Sequence, residues 1–135
     1  MEYEQRGKIA HRERARQIID FSGLRYGNIT PTDIDGLIEY HDKAYILMEF
    51  KYKNAEVPAG QMLAYKRLAN DLQKAGKPTV LLICRHDVEN PEQDIDAASA
   101  MVTEYWYAGK PYYDVNRTVA DVCESFLAYV DKKPF

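Results

Sequence analysis

Asp35, Glu49 and Lys51 are the residues of this chain whose types and spacing most suggest chemistry. Residues 45 to 52 form a largely apolar run. Strand side chains alternate faces, so Glu49 and Lys51 share one side of it and Phe50 takes the other. Burying either charge alone costs several kcal/mol unless it is paired or bound to a metal. If a strand around residues 34 to 39 pairs antiparallel with 45 to 52 through the polar turn His41-Asp42-Lys43, Asp35 comes level with Glu49. Two carboxylates on rigid strands offer a hard-oxygen site for Mg²⁺ or Mn²⁺. Such an ion keeps several waters and leaves room for a phosphate, and Lys51 is placed to orient or deprotonate an attacking water. The plainer reading makes Asp33 and Asp35 turn or edge residues, and Glu49 with Lys51 an exposed ion pair worth under about 1 kcal/mol.

The elements that must hold these residues follow from hydrophobic period. Residues 4 to 20 read as a helix ending before Ser22-Gly23, and Gly27, Asn28 and Pro31 then turn the chain. Pro58 suits the first turn of a helix, in which Met62, Tyr65, Ala69 and Leu72 recur at helical intervals until Gly76. The apolar run from Thr79 to Cys84 suits a strand buried on both faces in the middle of a sheet. The stretch from Ile95 to Tyr107 fits strand or short helix, and Arg117 to Asp131 reads as a closing helix with Val119, Val122, Phe126 and Val130 on one stripe. This order predicts an α/β sandwich around a mixed sheet flanked by helices, without repeats or linkers.

Four short pieces occur in one order: Gly7-Lys8-Ile9-Ala10-His11, Asp35 within Thr32-Asp33-Ile34-Asp35-Gly36, Glu49-Phe50-Lys51, and Gln61-Met62-Leu63-Ala64-Tyr65. In them the chain resembles the PD-(D/E)XK nuclease superfamily, in its RecB-like and Holliday-junction-resolvase-like branch. The resemblance covers residues 7 to about 85 and implies a restriction-endonuclease-like αβββαβ core, although the first of those three strands is poorly marked here. It implies that the Phe50 carbonyl joins Asp35 and Glu49 as a metal ligand, with His11 or Glu13 reaching the same ion from the leading helix. Gln61 and Tyr65 lie one helical turn apart on one face, where amide and hydroxyl are suited to position a phosphate or the attacking water. The function implied is metal-dependent hydrolysis of DNA phosphodiester bonds, by an endo- or exonuclease, for instance in phage or mobile-element DNA processing. A structure-specific resolvase acting as a symmetric dimer belongs to the same superfamily. The rival from another class is a non-catalytic module that keeps the fold and binds nucleic acid or protein.

The whole chain bounds these readings. With 135 residues, 46% of them hydrophobic, it has material for one domain spanning 1–135 and no room for a second. A net charge of -3 offers no global attraction to DNA, so contacts must come from local patches such as Arg12, Arg14 and Arg16 or Lys66 and Arg67. A short, slightly acidic chain grips DNA poorly by itself, which points to a homodimer through the aromatic segment around Tyr105, Trp106, Tyr107, Tyr112 and Tyr113, or to a helper protein. Cys84 and Cys123 have no zinc or disulfide spacing and read as buried free thiols of a reducing compartment. No stretch approaches the roughly 18 apolar residues of a membrane span, and the charged N-terminus is unlike a signal peptide, so the expectation is a soluble cytoplasmic protein without membrane contact. His41 and His86 have no Ser or Cys beside them and receive no role.

Overall fold

The computed structural model describes residues 17–132, and the chain divides after Pro31 into two units, each described by itself. In the first, Tyr26 and Ile29 exchange backbone hydrogen bonds of 2.9 and 3.0 Å around a turn in which Gly27 has a φ of 65°. Of the helix expected over 4 to 20, residues 17–20 carry no regular secondary structure. The rest of it, with His11, Glu13, Arg12, Arg14 and Arg16, lies outside the described residues.

The second unit runs β1 (Gly36–Tyr40), β2 (Ala44–Tyr52), α1 (Ala59–Lys74), β3 (Thr79–His86), a 3₁₀ turn (Ala97–Ser99), β4 (Met101–Tyr107), β5 (Lys110–Thr118) and α2 (Val119–Lys132). Its five strands form one sheet in the order β1-β2-β3-β4-β5. Only β2 and β3 are parallel, because α1 carries the chain back across the sheet between them. The other neighbours are antiparallel. At the β1–β2 turn His41 and Asp42 take φ values of 52° and 60°, and Lys43 N–H donates to the Tyr40 carbonyl at 2.8 Å. This is the polar turn expected from the sequence.

Helix α1 starts directly after Pro58 and stops at a left-handed Gly76, where Gly76 N–H reaches the Gln73 carbonyl and Lys77 N–H the Leu72 carbonyl. That pair of bonds satisfies two of the orphan carbonyls at the helix end. The strand read from 79–84 is the middle strand and is buried on both faces. Val80, Leu82 and Cys84 pack with Ile46, Val102, Val119 and Val122 on the α2 side. Leu81 and Ile83 pack with Leu47, Tyr65 and Ala69 on the α1 side. Cys84 and Cys123 are both free thiols; Cys84 is buried and Cys123 half-buried.

Three expectations need revision. The ambiguous stretch 95–107 resolves into the 3₁₀ turn and strand β4. Residues 110–118, which showed no strand pattern, form β5, so the closing helix begins at Val119 and not at Arg117. No strand precedes β1 among the described residues, which therefore show an α/β fold with a mixed sheet and two helices but not the first strand of the expected αβββαβ core. No helix among the described residues is long and apolar enough to cross a membrane.

Candidate functional site

The register of the β1–β2 hairpin pairs Gly36 with Met48, which brings the preceding Asp35 level with Glu49. Asp35 is fixed there because Phe50 N–H donates to its Oδ2 at 2.8 Å. Hydrogen-bonding residues of a strand turn their N–H and C=O to the same neighbour, so the Phe50 carbonyl faces that edge as well. One residue further on, Lys51 Nζ lies 3.2 Å from Glu49 Oε2, on the same face of the strand. The Phe50 ring packs on the opposite face, against the α2-side core.

The cluster sits at the carboxyl ends of the parallel pair β2 and β3, where α1 begins, a common place for sites in α/β sheets. From α1, Tyr65 donates its hydroxyl proton to Glu49 Oε1 at 2.6 Å. The Asp33 carbonyl is a second acceptor within its reach. Gln61, one turn earlier, donates its amide to the Tyr65 oxygen at 3.0 Å and to the Asp33 carbonyl at 3.4 Å. The structure thus joins Asp35, Glu49, Phe50, Lys51, Gln61 and Tyr65. Tyr65 is only 2% exposed, so its hydroxyl points to Glu49 rather than to solvent and positions that carboxylate. Gln61 is half-buried.

Glu49 is itself 2% exposed. Burial raises its pKa above the ordinary carboxylate value and the negative charge of Asp35 raises it further, while Tyr65 and Lys51 pull it back without cancelling the rise. Burial and the neighbouring Glu49 also push the Tyr65 phenol above the usual tyrosine value, so it stays a donor. Asp35 is exposed, with its Oδ2 held by the Phe50 N–H. Among the described residues no three His, Cys, Asp or Glu side chains gather as a metal group. The donor set is two carboxylates and a backbone carbonyl, all hard oxygens. That suits Mg²⁺ or Mn²⁺ with waters completing the shell and is poor for Zn²⁺.

The sequence reading missed Arg85, the register partner of Lys51 on β3. Aligned residues of neighbouring strands share a face, so Arg85 stands beside Lys51 at the same end of the sheet. Its Nη1 donates to the Ala55 carbonyl and ties down the loop between β2 and α1. Ending an apolar run, Arg85 looked like a strand boundary, and only the parallel register reveals its neighbour. It also lines a cleft of about 630 Å³ with Lys53, His86, Ile95 and Met101. Lys66, one of the basic residues that could contact DNA, lies over the Trp106 ring, 4.6 Å from its centroid. Most of the aromatic segment packs within the chain: Tyr105 stacks on Tyr112, Trp106 bonds Asn70 and Tyr107 meets Phe126 edge-on.

No protein-family model matches the chain, and no curated protein or solved structure does either.

Proposed function

We propose that this chain is an Mg²⁺- or Mn²⁺-dependent deoxyribonuclease of the PD-(D/E)XK type. The observation that carries the reading is the hairpin register, which sets Asp35 opposite Glu49 with Lys51 in ion-pair contact. Asp35, Glu49 and the Phe50 carbonyl are the residues that would hold the metal. Bound there, it would supply Lewis acidity toward a phosphoryl oxygen and a more acidic water. Lys51 orients that water and balances charge as the carboxylates come together. Gln61 stands at the edge of the network to position the water against the phosphate, and Tyr65 keeps Glu49 in place. With a net charge of -3, a firm hold on duplex DNA calls for a second copy or a helper protein.

The test is cleavage of labelled single-stranded, duplex and branched DNA with Mg²⁺, with Mn²⁺ and with chelator. Metal-dependent cutting is expected, abolished in Glu49→Ala and lowered about 10²–10⁴-fold in Lys51→Ala, with circular dichroism unchanged. Cutting that survives chelator or the Glu49→Ala change overturns the assignment.

One observation favours a second reading, a non-catalytic nucleic-acid- or protein-binding module. Glu49 is buried, and each of its oxygens already has a partner, Tyr65 on one and Lys51 on the other. Such a module would cut nothing under any metal and would still bind its partner after Glu49→Gln.

A further inference from the structure

The cleft of about 630 Å³ is bounded by Arg85, the register partner of Lys51, and none of Asp35, Glu49, Lys51, Gln61 or Tyr65 lines it. Its volume falls within the roughly 300–1,000 Å³ of small-ligand sites, space for a few linked groups and not for a duplex. Two chemistries meet in it. Arg85 and Lys53 bring positive charge from the ends of β3 and β2, while Ile95 and Met101, 44% and 38% exposed, bring apolar surface from the β4 side. Arg85 has five donors, and its contact among the described residues is the single Ala55 carbonyl. Among the described residues Lys53 pairs with the exposed Glu89 at 3.2 Å, a surface pair of little strength, and its Nζ lies 5.2 Å from the centroid of the Tyr52 ring. Asp87, Asp94 and Asp96 also line the cleft, and their charge opposes an extended run of phosphates.

We infer that this cleft receives the unpaired end of the nucleic-acid strand being cut, a phosphate lying on Arg85 and Lys53 and its base against Ile95 and Met101. The inference rests on the nuclease reading and adds the substrate's form to it. Cation beside apolar surface matches a nucleotide whose base faces are open. In a duplex those faces are stacked on their neighbours and offer nothing to Ile95 or Met101. The acidic residues oppose a longer bound stretch, and Arg85, which lines the cleft, is the register partner of Lys51 in the carboxylate cluster.

The experiment uses the full chain carrying Glu49→Gln, which blocks cutting, and a four-nucleotide deoxythymidylate as probe. Binding is followed by fluorescence anisotropy and by methyl NMR of Ile95 and Met101, with a blunt hairpin duplex as competitor. The expected result is shifts at both methyls, poor competition by the duplex, and an affinity about tenfold lower when Arg85→Gln is added, the loss of one charge-assisted contact. Met101→Glu supplies an independent variant that leaves the Arg85–Ala55 contact untouched. Equal competition by the duplex, or affinity unmoved by both variants, overturns the inference. Wild-type cutting of DNA together with that negative result removes the cleft and leaves the nuclease. A bound, Arg85-dependent oligonucleotide with no cutting by the wild type removes the nuclease and leaves the cleft as a single-strand site.

Discussion

Tyr65 has one proton to donate and two acceptors within reach, the Glu49 carboxylate and the Asp33 carbonyl. With Gln61 donating to its oxygen, the hydroxyl has little freedom to turn away from Glu49. Tyr65→Phe would leave a buried carboxylate oxygen without its donor, so a loss of about 1–3 kcal/mol is expected in denaturant unfolding. Because the Tyr65 hydrogen bond lowers the Glu49 pKa, the same change should move the acid limb of the cleavage–pH profile to higher pH; an unmoved limb would deny Tyr65 a positioning role. Glu49 gives a second prediction, with its sign set by the raised pKa. A carboxyl that holds its proton more tightly folded than unfolded contributes stability below the ordinary carboxylate value and loses it as pH rises through the folded value. Glu49→Gln should therefore stabilise the metal-free protein near neutral pH, with the gain vanishing in acid; thermal melts across pH check this. At this scale the sequence was informative because a charged pair two residues apart in an apolar strand has few bland explanations. The inward aim of Tyr65 was hidden, since helical spacing gives the face a residue shares and not the partner it meets.

The β1–β2 hairpin owes its register to contacts that a small change can test. Gly36 faces Met48, and a Cβ added there would stand 3.1 Å from Met48 Cε and 3.3 Å from Met48 Cβ. The thioether end can swing aside, but the Cβ moves only with the strand. Gly36→Ala should cost about 1–3 kcal/mol by overpacking and shift the adjacent Asp35 enough to weaken cutting. Urea unfolding indistinguishable from the wild type would show that the pairing is looser than the geometry implies. Strand β2, helix α1 and strand β3 were legible in the sequence because each carries an unbroken pattern, with Pro58 and Gly76 bounding the helix and Pro78 preceding β3. Strand β5 was not. Asp114 and Asn116 adopt φ values of 56° and 51° and the register slips between Val102 and Glu104, so alternation fails where the strand is most exposed. Arg117 and Thr118 belong to β5, and their polar sequence before Val119 gave no sign of where strand ends and helix starts.

At the largest scale, the sheet of the second unit separates two apolar layers, and Cys84 lies in the one covered by α2. Burial pushes its thiol up to about 12, with Cys123, Asp35 and Glu49 adding to the rise. A thiol so placed is inert, so an aromatic disulfide reagent at about pH 8 should leave Cys84 unmodified in the native protein and label it in denaturant; rapid native labelling would mean that this layer opens. The free-thiol reading and the mixed α/β class could be read from the sequence, because both depend on composition and order. The closeness of Lys51 to Arg85 depended on a parallel pairing across a helix, which local pattern does not encode. That same connectivity bears on how the site assembles. Asp35, Glu49 and Lys51 share a hairpin closed by a turn of a few residues, whereas β2 meets β3 only after the chain has passed through α1. The carboxylate cluster is therefore a local product of folding, with little loop entropy to overcome, and its cover is a distant one. A hairpin formed before α1 docks would hold Glu49 beside Asp35 but still hydrated, so the part of its raised proton affinity that comes from burial would follow that docking.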